Sequence, residues 1–373
     1  MKRVLSVFLC AAVILSLGVF NSQALGTSAE AHVLFDADSG IVLSENNKDK
    51  KMKMASTTKI MTALIALEYA SKDNKTVTFT KEMIAEGSSM YLRIGDKVKL
   101  TDLAAGMMMA SGNDAANAVA LTIGDSYEGF AHIMNKRAEE IGMKNTHFVT
   151  PSGLDDDNHY STAYDMALLM AEAMNNQSFL SLTSCQSKTV NFVYPEDKVA
   201  TYQNHNRLLR MLKSCTGGKT GFTKAAGRCL VTSAEDDGVR LIAVTLNAPD
   251  DWNDHISLYE YGFSSYTLIG FDDRNEVFDV ALSGAEESFV TASVDEVMAF
   301  KVPANRIKDI EKNIFLPDFV FAPVNEGDIL GKITYTLDGR ELSKTYIKAN
   351  STVNEKKQRG FFSWLFSLIF NRE

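Results

Sequence analysis

Three short stretches of the 373-residue chain combine residue types that can transfer an acyl group: Ser56-Thr57-Thr58-Lys59, Ser111-Gly112-Asn113 and Lys219-Thr220-Gly221. A serine hydroxyl is a weak nucleophile until a base takes its proton. Residues three apart share a helix face, so Lys59 reaches Ser56 if this segment starts a helix. A lysine acts as a base only when burial or a nearby cation lowers its pKa. Lys219 is the candidate cation. At a helix N-terminus the backbone N–H groups also favour negative charge developing near Ser56.

Each stretch alone is weak. A capping serine, a solvated lysine or a turn glycine would explain it. A chain of this length contains about one Ser-x-x-Lys by chance; here there is one, in "MASTTKIMT", at an expected helix start. Ser44-Glu45-Asn46 also fits Ser-x-Asn, but it precedes Ser56. Lys-Thr-Gly occurs once, on an expected strand. Gly217-Gly218-Lys219-Thr220 invites comparison with a phosphate-binding loop. That loop needs a glycine five residues before Gly218; the position holds Lys213, and the spacing rejects it.

The chain opens with Lys2 and Arg3, an apolar run from Val4 to Phe20, and Ser22-Gln23-Ala24 with small residues at the cleavage positions. This predicts a secretory signal over 1–24 and a protein working outside the cytoplasm. Cys10 lies inside the apolar run, a poor place for lipidation. Loss of Lys2 and Arg3 takes the formal charge from −9 to −11. So acidic a chain does not suit nucleic acid, whose binding rests on neutralised phosphates. Cys185, Cys215 and Cys229 are odd in number and lack zinc-ligand spacing, so no disulfide framework and no metal are expected, and a single pair among the three stays open.

The elements that must position the chemistry follow from periodicity. Ala31 to Asn46 reads as a hairpin. Ser56 to Tyr69 reads as a helix that Ser56 can cap. Leu103 to Ile123, Tyr127 to Ile141 and Ala163 to Asn175 read as further helices. Lys188 to Tyr194, Gly217 to Phe222, Arg228 to Ser233 and Arg240 to Leu246 read as strands. The expected fold class is α+β, with one mainly antiparallel sheet drawn from both ends of the region 25–271 and helices between. Residues 280–352 carry short strand-like runs between Gly, Asp and Asn turns, a small β-rich domain. Residues 356–373 crowd Phe361, Phe362, Trp364, Leu365, Phe366, Leu368, Ile369 and Phe370 opposite a narrow polar face of Gly360, Ser363, Ser367 and Asn371. Too short to span a bilayer, the segment reads as an amphipathic helix lying on a membrane surface, with Lys356, Lys357, Arg359 and Arg372 at the headgroups.

Taken in order, the three stretches resemble the Ser-x-x-Lys, Ser-x-Asn and Lys-[Ser/Thr]-Gly set of penicillin-recognising serine acyl-transferases. With "SGNDAANA", "NHYSTAYDMA" and "GGKTGFTKAAGRCLV", the chain after the signal resembles the low-molecular-mass penicillin-binding proteins, the serine-type D-alanyl-D-alanine carboxypeptidases. The resemblance implies a transpeptidase-like domain followed by a small all-β domain, with no cofactor. It implies that Ser56 attacks the bond between two D-alanines of a peptidoglycan pentapeptide and that β-lactam antibiotics acylate the same hydroxyl. Lys59 would be the acylation base and Ser111 a proton relay to the leaving amine. Asn113 would hold the substrate amide, Lys219 supply positive potential, and Thr220 bond the terminal carboxylate. Gly221 completes the strand motif, and the N–H groups of Ser56 and Phe222 would form the oxyanion hole.

The chain departs from its relatives at Asn204-His205-Asn206, where many carry Arg in place of His205. The residue that reads the terminal carboxylate is thus open, with Arg207 and Arg228 as candidates. His205 stands between substrate contact and scaffold. His159 reads as a structural histidine ordering its loop, and Met107-Met108-Met109 as core. Asp155-Asp156-Asp157 lacks the spacing of a calcium loop. A serine β-lactamase, an endopeptidase that cuts cross-links and an inactive wall-peptide-binding relative are the competing readings.

Overall fold

The computed structural model describes residues 25–356. The export signal over 1–24 and residues 357–373 of the amphipathic tail lie outside the described residues. Strands β1 (Ala31–Asp36) and β2 (Val42–Asn46) form the N-terminal hairpin, and α1 (Lys59–Ala70) follows a 3₁₀ turn at Ala55–Thr58. The short pair β3 (Thr76–Thr78) and β4 (Lys97–Lys99) leads into α2 (Leu100–Ala110), α3 (Asn113–Gly124) and α4 (Tyr127–Ile141). Next come α5 (Ala163–Asn175), α6 (Gln177–Thr183), the hairpin β5 (Ser187–Asn191) and β6 (Val199–Gln203), and α7 (Leu208–Met211). Strands β7 (Cys215–Thr223), β8 (Gly227–Asp236) and β9 (Val239–Leu246) precede α8 (Asp251–Ser264).

The main sheet has five antiparallel strands in the order β2-β1-β9-β8-β7, so the first and last strands of this sheet in chain order meet where β1 pairs with β9. Both faces are covered, and the apolar positions of β9 divide by period two. Ile242, Val244 and Leu246 join the large core under α1 to α6, while Leu241 and Ala243 pack with Leu258 and Tyr259 of α8. Strand β7 is left at the edge.

Three differences from the sequence reading have physical causes. The run from Leu103 to Ile123 is two helices, because Ser111 takes a left-handed conformation (φ 58°) that ends α2. Ser56 caps nothing; it lies inside the 3₁₀ turn, and its hydroxyl faces Lys59 instead. Helix α8 buries His255, Leu258, Tyr259 and Gly262 at helical spacing, a legible pattern diluted by the acidic residues between.

A second group of strands follows: β10 (Tyr266–Phe271), β11 (Val277–Ser283), β12 (Phe289–Ser293), β13 (Met298–Pro303), β14 (Glu311–Phe315), β15 (Phe319–Phe321), β16 (Ile329–Leu337) and β17 (Arg340–Ala349). Six of these form one sheet, in the order β14-β16-β17-β12-β11-β15, and β10 pairs with β13. Their own core holds Val280, Val290, Ile333 and Ile347, with the Tyr335 ring 4.4 Å from that of Phe271. The protein is thus an α+β domain followed by an all-β one. Among the described residues no helix is long and apolar enough to cross a membrane.

Candidate active site

The site begins with a strained turn. Ala55 has φ 47°, a conformation that costs a residue bearing a Cβ. It turns the chain into the Ala55–Thr58 segment, which leaves Ser56 half-exposed above the fully buried Lys59. Lys59 Nζ lies 2.9 Å from Ser56 Oγ, 2.7 Å from Asn113 Oδ1 and 2.7 Å from the Ser152 carbonyl. Two of these partners only accept, whereas a hydroxyl both donates and accepts. A neutral amine therefore gives its two N–H bonds to Asn113 and Ser152 and turns its lone pair to the Ser56 hydroxyl. After proton transfer the ammonium is satisfied at the same three positions. Burial, above all, holds the Lys59 pKa well below the ordinary lysine value; the charge of Lys219 adds to this and Asp114 opposes it.

Helix α2 ends at Ser111 and α3 starts at Asn113, so the left-handed serine places two side chains from one short loop in the same cleft. Lys219 Nζ donates to Ser111 Oγ at 3.1 Å and to the Thr220 carbonyl at 2.7 Å. Lys219 is buried, and burial pushes its pKa down to about 7. Asn113 Nδ2 spends one hydrogen on the Glu86 carbonyl at 2.7 Å and keeps the other.

Strand β7 brings Lys219, Thr220, Gly221 and Phe222 alongside, because two close approaches are bridged by glycines. A Cβ on Gly221 would sit 2.9 Å from the Met54 carbonyl and 3.0 Å from the Ser56 and Thr57 nitrogens. A Cβ on Gly217 would meet Thr183 of α6 at 2.3 Å. The Thr183 hydroxyl accepts from the Gly218 N–H at 2.8 Å. The glycines of "GGKTG" thus serve helix-to-strand and strand-to-turn packing.

Ser56, Ser111, Thr220, Gly221, Phe222 and His205 line one cleft of about 330 Å³. Lys59 and Asn113 lie beneath it. Arg228, opposite Phe222 in the ladder, closes the far side with Asp251 and Trp252. Its guanidinium meets Asp251 at 2.5 Å and sits 5.7 Å from the Trp252 ring centre. Arg228 Nε is buried without a hydrogen-bond partner, the one such side-chain atom among the described residues. Arg207 lies on the same ring, 6.0 Å from its centre. His205 is exposed at the cleft mouth, and partial loss of water around its ring, then the charge of Lys219, lower its pKa.

His159 stays out of the cleft. It bonds the Thr58 hydroxyl through Nε2 at 2.9 Å and accepts the Val149 N–H on Nδ1 at 2.9 Å. It therefore carries its proton on Nε2 and braces the turn from below, and burial lowers its pKa to about 4. Met107 to Met109 are core. Asp155 accepts the Thr223 hydroxyl at 2.9 Å and Asp157 meets Lys53 at 3.5 Å. Two contributors escaped the sequence reading. Ser152 acts through its carbonyl, which no residue type signals. Asp114 is buried beside Asn113, and its carboxylate accepts from the Met90 N–H at 2.8 Å and the Leu92 N–H at 3.1 Å.

The class of protein follows from comparison of this fold and site with solved structures. The D-alanyl-D-alanine carboxypeptidase DacD of Francisella tularensis superposes with TM-score 0.65 at 28% identity, over 91% of this chain and 96% of that one. Penicillin binding protein 5 of Haemophilus influenzae superposes with TM-score 0.65 at 27% identity, over 88% and 98%. The D-alanyl-D-alanine carboxypeptidase family of peptidases, S11, matches residues 19–250, and the penicillin-binding protein 5 C-terminal domain matches 266–355. The curated D-alanyl-D-alanine carboxypeptidase DacF of Bacillus subtilis is 31% identical, with 98% of this chain and 97% of that protein aligned. DacC of Escherichia coli is 31% identical over 93% and 89%. The chain belongs to the serine-type D-alanyl-D-alanine carboxypeptidases.

Gly221→Ala tests the close approach of β7 to the Ala55–Thr58 turn. The added methyl forces strand and turn apart, and a displacement of about 1 Å costs roughly 100-fold in rate. The expected result is a folded protein whose serine is acylated by benzylpenicillin about 100-fold more slowly. Wild-type acylation by the alanine variant would show that the contact does not set the site.

Proposed function

We propose that Ser56 is the nucleophile of this carboxypeptidase and that the cleft removes the terminal D-alanine of peptidoglycan pentapeptides. The carrying observation is the Lys59 amine, buried and bonded to two obligate acceptors, with Ser56 as its third neighbour. Lys59 takes the Ser56 proton as Oγ bonds to the carbonyl carbon of the penultimate D-alanine. The N–H groups of Ser56 and Phe222 hold the oxyanion, and the free hydrogen of Asn113 Nδ2 meets a substrate carbonyl. The C–N bond breaks as Ser111, polarised by Lys219, relays a proton to the leaving amine and is reprotonated by the proton that Lys59 took, so the amine of Lys59 is again neutral. Water then hydrolyses the ester and restores Ser56. A β-lactam enters the same path and stalls at the ester.

Thr220 and Arg228 receive the terminal carboxylate in this reading. Arg228 has the guanidinium on the leaving side of the cleft that His205 cannot supply, oriented by Asp251 and Trp252. Export and peripheral attachment of the tail to the outer face of the cytoplasmic membrane complete it, supported by the charged and apolar patterning of the two ends. Recovery of the full chain on vesicles containing anionic lipid tests the attachment.

The deciding experiment combines intact mass after benzylpenicillin with D-alanine release from a pentapeptide. The expected result is one penicillin adduct, mapping to Ser56, and stoichiometric D-alanine. Amidating the terminal carboxylate lowers kcat/KM about tenfold in the wild type, and much less in Arg228→Gln. Rapid turnover of penicillin without an adduct would instead mark a β-lactamase. An inert protein would mark a binding relative.

A further inference from the structure

The cleft does not end at Ser88, which lines it. The next residue, Ser89, lines a second groove of about 470 Å³, whose near wall runs on to Arg93. The far wall is β6, with Ala200 and Tyr202, and Lys198 just before it. That strand continues directly to Asn204 and His205, and His205 lines the cleft. Both walls of the groove are therefore extensions of walls of the active site.

The near wall is fixed in place. Asp114 follows Asn113 in the chain, and its carboxylate accepts from the Ser89 hydroxyl at 2.6 Å and from the Met90 and Leu92 N–H groups. Tyr202 donates its hydroxyl to the Met90 carbonyl at 2.8 Å, tying wall to wall. On this frame Tyr91 stands 79% exposed with φ 61°. An aromatic residue held in the left-handed region and also pushed into solvent is not there for packing. Two residues on, Arg93 is exposed; its backbone N–H donates to the Asp96 carboxylate at 2.7 Å, while its guanidinium has no acidic partner among the described residues. Lys198 on the facing wall is paired with Asp96.

We propose that this groove is a second subsite, which binds an anionic stretch of wall peptide outside the scissile D-alanyl-D-alanine. The proposal rests on the reading of the cleft given above. Wall peptides carry free carboxylates along their length; the Arg93 guanidinium pairs with one of them, and the Tyr91 ring covers the adjoining backbone. The bound stretch belongs either to the stem peptide being trimmed or to a neighbouring stem joined through the D-alanyl bond.

Steady-state kcat/KM for three substrates tests this, on the wild type and on a Tyr91→Ala/Arg93→Gln double variant. The substrates are a short uncharged acyl-tripeptide ending in D-alanyl-D-alanine, a disaccharide pentapeptide and a cross-linked muropeptide dimer. Benzylpenicillin acylation of the variant reports that the fold is intact. The ratio of long-substrate to short-substrate kcat/KM is expected to fall about tenfold in the variant, and the wild-type ratio to fall with added salt. A fall for both long substrates assigns the groove to the trimmed stem; a fall for the dimer alone assigns it to the neighbour. An active enzyme whose ratios do not change overturns the subsite. A wild type inert on all three substrates overturns the reading of the cleft, and the subsite with it.

Discussion

Ser56→Ala yields a folded protein that forms no penicillin adduct and releases D-alanine at least about 10⁴-fold more slowly than the wild type. The hydroxyl is half-exposed and caps no helix, so its loss removes one contact of Lys59 and little else. The backbone turn at Ala55, the buried amine and the edge strand all persist. The folding cost is correspondingly small, and the effect falls on chemistry. Intact mass and D-alanine release measure it. More than a few per cent of residual release, with an adduct on another residue, would move the nucleophile elsewhere.

Lys59→Met has the second largest expected effect. General-base catalysis contributes about 10²–10⁴-fold, so benzylpenicillin acylation is expected to fall roughly 10³-fold. The reaction needs the neutral amine, and the pKa of Lys59 is lowered in the folded protein, chiefly by burial. Wild-type acylation should therefore run at pH values well below the ordinary lysine pKa, declining only as the pH drops far enough to protonate the amine. Methionine has no proton to gain, so this acid limb should vanish from the residual rate. Stopped-flow acylation across pH decides the matter. An acid limb of the same position in Lys59→Met would assign the base to another group.

The chemistry was more legible in the sequence than the frame that holds it. Ser-x-x-Lys announces its own geometry, because one helical turn brings i to i+3. Ser111-Gly112-Asn113 was found as a motif and then wrongly placed inside a continuous helix. Apolar periodicity runs through it unbroken, and only the left-handed φ of Ser111 separates α2 from α3. Lys219 could be put on a strand, but its distance from Ser111 depends on sheet order, which no local pattern encodes. The third partner of Lys59 is a carbonyl, and carbonyls are the same at every residue. The cleft wall from Arg228 to Trp252 is legible in the sequence only at Arg228, a candidate for the terminal carboxylate; Asp251 and Trp252 are not, for a different reason. It spans a strand and a helix start, and α8 was not anticipated at all.

The pairing of β1 with β9 sets an order of events for a chain that emerges N-terminus first. The first 70 residues contain Ser56 and Lys59, and these two are neighbours on one turn from the moment it winds. Yet β1 has only β2 beside it until residues 239–246 arrive, and β7 reaches the Ala55–Thr58 turn only as part of the same closure. Contacts over such sequence separations form late, since the loop between them must close first. An unfinished chain thus carries Ser56 without Lys219, without the β7 wall and without the burial that lowers the Lys59 pKa. Reactivity toward penicillin is acquired in one step, near completion of the domain, and timed labelling during refolding would act as a clock for sheet closure.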